Sequence, residues 1–376
     1  MTKKGLATIV LSLLGVVTGR MFGIVELIIV GLSLLAIVFL GALITLAPRG
    51  RLVPSRRLRP QRVSAGQTAH VDIRIQQVGR FSSGLLRLSD GVAGTDGALI
   101  HATPMRRNQQ CQASYRLPPS VRGVLAVGPL VIERQDPFGL IRRRVAWLDT
   151  SELIVHPRHQ EIAPPPRPRA SDLASAVTTP TQVRAGEDFH ALRPYEHGDD
   201  LRRVHWRATA RHDDLMIREH DDSREGRTTV LVDVREFTVA PDALEELLSA
   251  AASVLIAATT RGDDVALLTS DGSGPFEALD RKGLGPLLDA LARVSLVRDI
   301  STLGRSREAL RRCQRSGTLV TLLGAAGVDN ESDLATGFQA HLPFRFGKSS
   351  THPHGIVGNF STQWTNLLTE RARLGR

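Results

Sequence analysis

Cysteine is nearly absent from this sequence of 376 residues, which contains only Cys111 and Cys313. Two thiols so far apart exclude a disulfide scaffold and a zinc cluster of four thiolates, and they indicate a reducing compartment. Lysine is also scarce, since only four of the 48 basic residues are lysines. Aromatic residues make up 4% of the chain, and the arginines are interleaved with acids. The chain therefore lacks the aromatic platforms of single-strand binders, and we predict no nucleic-acid partner.

Long apolar runs, in contrast, are present at the N-terminus, at residues 5–19 and 27–47. The second run can cross a hydrocarbon core of ~30 Å at ~1.5 Å per residue. Lysines precede the first run and arginines follow the second, so the positive-inside rule places both ends in the cytoplasm. We expect a transmembrane helical hairpin in residues 1–50 of a multi-pass protein whose soluble domains face the cytoplasm. A secretory signal peptide is the alternative, but no small-residue cleavage site follows the first run.

The net charge of +10 is concentrated beside this hairpin. Residues 1–62 hold nine basic residues and one acidic residue, whereas the other 314 residues hold 39 and 37. The arginines that follow the second run predict a basic belt at the membrane surface, where each cation gains about 1 kcal/mol from anionic lipids. They are Arg49, Arg51, Arg56, Arg57, Arg59 and Arg62.

We predict one domain at residues 51–157, in which the chain has the pattern of strands from about residue 63. Val71, Ile73 and Ile75 alternate with polar residues, which is the period of a half-buried strand. Short apolar runs bounded by turn residues follow at 84–88, 110–117, 124–132 and 152–155. This spacing predicts an all-β, sandwich-like domain. A proline-rich linker is predicted at 158–185, where EIAPPPRPR favours an extended chain.

Residues 227–340 alternate between strands and helices. We predict strands at 227–234, 263–270 and 317–323 and helices at 241–260, 281–293 and 303–315. Such alternation predicts right-handed crossovers and a largely parallel sheet in an open α/β domain. Residues 341–376 lack the strand pattern expected to close that sheet, so we assign this tail no structure.

The block at 186–226 is dense in arginine, aspartate, glutamate and histidine, with Phe189, Tyr195 and Trp206 interleaved. Interleaved aromatic residues favour a packed network of arginine–carboxylate pairs. A partner surface and a catalytic site are the alternatives left open. For a catalytic site, the candidates for proton transfer are Glu187, Asp188, His190 and His205.

This block resembles the signature of the domain of unknown function 58 (DUF58) family. The matching positions are Gly186, Asp188, Phe189, Arg193, Tyr195, Gly198, Asp199, Asp200, Arg202, Trp206, Thr209, Ala210 and Arg211. The run Asp136-Pro137-Phe138-Gly139-Leu140 and the N-terminal hairpin also resemble that family. The resemblance implies a bacterial inner-membrane protein, a von Willebrand factor A-like final domain and a MoxR-type AAA+ ATPase as partner. It supplies no catalytic residue.

The metal site of a von Willebrand factor A fold begins Asp-x-Ser-x-Ser after the first strand, and this chain departs from it. Asp233 remains, but Arg235 and Phe237 replace the two hydroxyls. A cation beside Arg235 would be repelled, so we predict no metal at this degenerate position and no cofactor.

The sequence therefore favours a non-enzymatic, membrane-anchored adaptor or scaffold in cell-envelope or complex assembly, with the lipid bilayer and the ATPase as partners. An enzyme with an acid/base site in residues 186–220 and a nucleic-acid-binding protein are the alternatives.

Overall fold

The computed structural model describes most of the chain. The described residues are 1–47, 51–79, 81–118, 121–167, 189–194, 209, 216–220, 226–279, 281–298, 303–313, 316–324, 333–347, 355–356 and 360–374. The chain divides into two compact units. The first contains Met1–Arg158 with Asp289–Arg293, and the second contains His159–Leu288 with Val294–Arg376.

The two N-terminal apolar runs form helices α1 (Lys3–Phe22) and α2 (Val25–Leu46), which pack together. Gly23 closes α1 in the left-handed conformation at φ 68°, and its N–H bonds the carbonyl of Gly19. The buried hydroxyl of Ser12 donates to the carbonyl of Gly31 at 2.5 Å, which ties the helices where small residues let them approach.

In the described part of the chain, three helices are long and apolar enough to cross a membrane: α1, α2 and α3 (Pro241–Thr260). They differ in burial. In the most apolar 18-residue stretch of each helix, 67% of α3 is buried in the protein, compared with 17% of α1 and 17% of α2. Apolar side chains on α1 and α2 therefore remain uncovered by protein, whereas α3 has the packing of a core helix.

Two sheets enclose the core of the first unit. The first sheet has the antiparallel order β1-β3-β6, and the second has the order β2-β9-β7-β4-β5, with β8 paired to β7. Buried Ile73 and Ile75 of the first sheet share one core with Leu88 and Ile132 of the second. The strands are β1 (Leu52–Arg59), β2 (Arg62–Ser64), β3 (His70–Gln77), β4 (Leu85–Val92), β5 (Thr95–Ala102), β6 (Gln110–Arg116), β7 (Gly123–Gln135), β8 (Arg142–Leu148) and β9 (Ser151–His156).

Strand β1 was not expected, because its arginines predicted a basic belt at the membrane surface. Arg56 instead lies between the two sheets, where its Nη1 bonds Asp90 Oδ1 at 2.6 Å with both side chains fully buried. The hydroxyl of Tyr115 donates to the other oxygen of Asp90 at 2.8 Å. For Arg56 the prediction of a lipid-facing cation is wrong, since the side chain pairs a buried carboxylate.

The second unit is built on a sheet of order β14-β13-β12-β15-β16-β17, in which the β13–β14 pair is antiparallel and the other pairs are parallel. Five consecutive residues of β12, from 228 to 232, are buried, so both faces of the sheet are covered. The strands are β12 (Arg227–Val232), β13 (Asp264–Thr269), β14 (Phe276–Ala278), β15 (Thr318–Gly324), β16 (Ala340–Phe346) and β17 (Gly355–Ile356).

Helices α3, α4 (Leu284–Arg293) and α5 (Gly304–Arg312) confirm the three helices predicted here, with α4 and α5 shorter than expected. Pro241 occupies the first turn of α3, where its missing N–H has no cost. Leu310 of α5 packs with Leu231 and Leu268 of the sheet in one buried cluster.

The tail after residue 340, to which we assigned no structure from the sequence, continues the fold. Strand β16 extends the sheet, and α6 (Phe360–Leu374) follows. The Trp364 ring is fully buried and stacks on Phe344 with ring centroids 5.5 Å apart. Leu342, Phe344 and Phe346 are buried and alternate with partly buried residues, which is the period-2 pattern of a strand that we overlooked in the sequence.

The start of the predicted linker, from residue 159 to 167, is packed within the second unit. Trp364 Nε1 donates to the carbonyl of Ala163 at 2.7 Å, and the Thr318 hydroxyl donates to that of Pro166 at 2.7 Å. Arg167 bonds the buried carboxylate of Asp263 at 2.7 Å. Residues 159–167 are therefore held in place, and residues 168–185 lie outside the described part.

We expect Trp364→Ala to lower the free energy of unfolding by about 3–5 kcal/mol, because it removes a fully buried ring and a donor. Trp147, which is 64% exposed, provides the matched control, and Trp147→Ala should change stability by less than about 1 kcal/mol. Denaturant unfolding of the full-length protein in detergent measures both. Equal losses in the two variants would contradict the packing described for α6.

Candidate functional site

The predicted signature block lies mostly outside the described residues. Of the predicted site residues, Phe189 and Arg193 lie on β10 (Phe189–Pro194), which pairs antiparallel with β11 (Met216–His220). The other predicted site residues, which fall outside the described part, are Gly186, Asp188, Tyr195, Gly198, Asp199, Asp200, Arg202, Trp206 and Arg211.

The described part of the second unit has a polar centre at the carboxyl edge of its sheet. The chain goes from β12 to β13 on one side and later returns to β15 on the other, so β12 and β15 flank a topological switch point. Ligands of open α/β sheets bind at this point. Asp233, the first residue after β12, lies there and is fully buried.

Donors from three strand ends converge on Asp233. Its Oδ1 accepts the hydroxyl of Ser270, which follows β13, at 3.1 Å. Its Oδ2 accepts the hydroxyl of Thr238 at 2.8 Å and the N–H of Gly324, at the end of β15, at 3.2 Å. The carboxylate thus joins the ends of β12, β13 and β15.

Arg235 supplies the charge that balances this carboxylate. Its Nε bonds Asp233 Oδ1 at 2.8 Å and its Nη2 bonds Oδ2 at 2.9 Å, which is the two-pronged geometry of strong arginine–carboxylate pairs. The Arg235 side chain is itself buried, and its guanidinium lies over the Phe237 ring, 5.4 Å from the centroid.

The pKa of Asp233 lies below its ordinary value despite the burial. Burial alone raises the pKa of this carboxyl, but the hydrogen bonds and charge of Arg235, with the Thr238 hydroxyl, outweigh burial and lower it. The carboxylate is therefore held ionised and coordinated by donors on both oxygens. Such a group serves poorly as a general base near neutral pH, because its proton affinity is too low.

The same arrangement bears on metal binding. The guanidinium occupies the place beside Asp233 where a cation would be held, and it satisfies both oxygens. Among the described residues, no group of three or more histidine, cysteine, aspartate and glutamate side chains could hold a metal ion. From the sequence we predicted that Arg235 repels a cation, but not that it pairs with Asp233. The signal for this pair was an arginine two residues after an aspartate that directly follows a buried strand.

A second polar centre lies in the first unit, in the Asp136–Leu140 motif. Asp136 is fully buried and accepts the N–H groups of Phe138 at 2.9 Å and Ile141 at 2.5 Å, which shapes a tight turn. Gly139 completes the turn at φ 71°. The motif thus fixes a loop between β7 and β8.

This turn packs on both N-terminal helices. The Thr2 hydroxyl, which caps α1, donates to the carbonyl of Leu140 at 2.8 Å. A Cβ at Gly5 would collide with that carbonyl, so this glycine permits the close contact, and Gly41 of α2 lies against the Asp136 carboxyl. Arg143 donates to the terminal carbonyl of α2, that of Leu46, at 3.1 Å.

Comparison with known proteins identifies one family. The family model described as "Protein of unknown function DUF58" matches residues 191–325. The uncharacterized protein YeaD of Bacillus subtilis is 26% identical over 142 residues, which cover 38% of this chain and 35% of that protein. The match therefore spans about a third of the length of this relative.

Solved structures give only low similarity. The CARDB domain of the PF1109 protein from Pyrococcus furiosus aligns with 12% identity and a TM-score of 0.23, over 28% of this chain and 94% of that domain. A β-glucosidase from Listeria innocua aligns with 10% identity and a TM-score of 0.20, over 28% of this chain and 16% of the enzyme. These scores carry no argument about fold or function.

We expect Arg235→Ala to lower the free energy of unfolding by about 3–5 kcal/mol, because Asp233 would remain buried without its counter-charge. Asp233→Ala combined with Arg235→Met should recover part of that loss, since an apolar pair needs no compensating charge. Denaturant unfolding of the full-length variants in detergent measures both.

The exposed pair Arg312–Glu308, with both side chains 66% exposed, provides the control. Arg312→Ala should cost no more than about 0.5 kcal/mol. An equally small cost for Arg235→Ala would show that the buried pair does not organise the carboxyl edge.

Proposed function

Because residues 191–325 of this chain belong to the DUF58 family, we propose that the protein is a membrane-anchored, non-enzymatic adaptor or scaffold that works with a MoxR-type AAA+ ATPase. In this proposal α1 and α2 anchor it in the bacterial inner membrane as a multi-pass protein. The two-sheet unit is a β-sandwich-like spacer, and the α/β unit is a von Willebrand factor A-like domain that presents a surface to the ATPase or to a client in the cytoplasm.

The observation that carries the anchoring is the exposure of apolar side chains on α1 and α2. Leu11, Phe39 and Leu43 are each 60% exposed or more, which is unfavourable in water but suits contact with lipid. Lys3 and Lys4 lie in the first turn of α1, and Arg51 follows α2. This distribution supports an orientation with both ends in the cytoplasm.

The scaffold role is supported by the chemistry of the carboxyl edge. At the point where open α/β sheets bind ligands, Asp233 is already paired with Arg235, and Thr238 and Ser270 donate to it. These groups stabilise the loops at the edge. In this proposal the second unit acts through the partners that its surface binds, in the manner of a von Willebrand factor A-like domain that holds no metal.

The anchoring is tested by cysteine labelling of intact spheroplasts with a membrane-impermeant thiol reagent. Met21 lies at the end of α1 and is 76% exposed, so Met21→Cys should be labelled from outside. Native Cys111, which is partly exposed, should react only after lysis. Extraction by alkaline carbonate should leave the protein in the membrane fraction. Labelling of Cys111 in intact spheroplasts would refute the proposed orientation.

The partnership is tested with full-length protein in lipid nanodiscs and the MoxR-type ATPase of the same genome, with ATP, with ADP and without nucleotide. We expect binding in at least one nucleotide state. Asp199→Ala and Arg202→Ala should abolish it while leaving thermal unfolding unchanged.

Exposed Glu246 and Arg281 provide charge-matched controls, and their alanine variants should bind like the wild type. Absence of binding in every nucleotide state would refute the partnership. Unfolding of Asp199→Ala or Arg202→Ala would assign these residues to a structural network instead.

A further inference from the structure

The tip of the Asp136–Leu140 turn contains an exposed aromatic ring that the fold does not use. Asp136 and Leu140 are buried, but Phe138 between them is 59% exposed, and Pro137 is exposed too. The turn is shaped by hydrogen bonds to its backbone. The Phe138 side chain therefore contributes little to the turn itself, and its exposure needs another explanation.

The contacts of the turn with the helices fix its level along the hairpin. Asp136 lies against Gly41, five residues before Leu46, which ends α2. At 1.5 Å per residue this level is about 8 Å inside the end of the helix. Helix α2, with 22 residues, is about 33 Å long and so only slightly exceeds a hydrocarbon core of ~30 Å. When α2 is centred in the bilayer, this level lies about 6 Å below the headgroup–acyl boundary, a depth that interfacial apolar side chains reach.

A second exposed phenylalanine lies on a neighbouring loop. Arg134 Nε donates to the carbonyl of Ser83 at 2.7 Å, and Leu85 pairs with Gln135, so the loop before β4 lies beside the turn. Phe81 in this loop is 65% exposed. Two exposed aromatic rings thus lie at the end of the two-sheet unit from which the helices emerge.

Basic side chains surround this end. Lys3 and Lys4 lie in the first turn of α1, next to Thr2, which contacts the motif. Arg143 and Arg144 follow the motif on β8, and all four side chains are exposed. Exposed aromatic rings flanked by cations match the interface of an anionic bilayer, where rings enter the acyl boundary and cations contact the headgroups.

We propose that Phe138, with Phe81 beside it, inserts into the interfacial region of an anionic lipid bilayer next to the helical hairpin. The two-sheet unit then contacts the membrane at a third point in addition to α1 and α2, and the membrane fixes its orientation. This inference rests on the proposed anchoring by α1 and α2.

The test uses full-length protein in vesicles of equal parts phosphatidylcholine and phosphatidylglycerol, with the phosphatidylcholine brominated on its acyl chains. Phe138→Trp adds a fluorophore, whose emission is obtained by subtracting the wild-type spectrum. We expect blue-shifted emission that loses most of its intensity in brominated vesicles. Bromine near the headgroup end of the chain should quench it more than bromine near the chain terminus.

Val121 provides the matched control, because it is 86% exposed and lies just before β7, whose 13 residues separate it from the turn. That strand is about 40 Å long, and Val121→Trp should be unaffected by brominated lipid. Emission from Phe138→Trp that is red-shifted, or blue-shifted but not quenched, would overturn the proposal, since the ring would then be in water or against protein. Carbonate extraction of the same variant separates this outcome from failure of the anchoring itself.

Discussion

The charge of Asp233, removed from water at the centre of the α/β unit, is the constraint on which its carboxyl edge depends. A buried carboxylate is tolerated only with a counter-charge and enough donors. Arg235 supplies the charge, and Ser270, Thr238 and Gly324 supply the donors from the ends of neighbouring elements. Each of these loops is therefore held by the same group. The Asp233–Arg235 pair lies at the point where such sheets usually bind ligands, and there it links the ends of neighbouring strands.

The first unit also contains buried charged groups that form hydrogen bonds within the protein. Arg56, Asp90 and Tyr115 join its two sheets, and Asp136 shapes the turn that receives α1 and α2. Gly5 of α1 lets the backbone of the turn approach the helix closely. The helical hairpin is thus attached to a folded unit by specific contacts, and the Asp136–Leu140 turn is the point of attachment.

Periodic apolar patterns in the sequence predicted the elements that bury one continuous face. The helix at 241–260 and the strand at 70–77 are found where Leu247 and Ile73 indicated them. Elements whose signal is masked by charge were missed: β1 contains three arginines, of which Arg56 is buried by its partner. The pairing of Asp233 with Arg235 was missed for a similar reason, because sequence shows the charges but not which of them a fold brings together. The motif at 186–211 identified the family, although most of its side chains lie outside the described residues.

The bond from Trp364 to the carbonyl of Ala163 joins residues 201 positions apart, and this has a consequence for synthesis. During translation the strands of the first unit emerge before those of the α/β unit. The α/β unit cannot complete its packing until α6 has left the ribosome, because Trp364 of this helix stacks on Phe344 and bonds the carbonyl of Ala163. Contacts of such long range slow folding and leave apolar surface exposed in the meantime. The second half of a nascent chain therefore keeps apolar surface exposed until α6 has been synthesised.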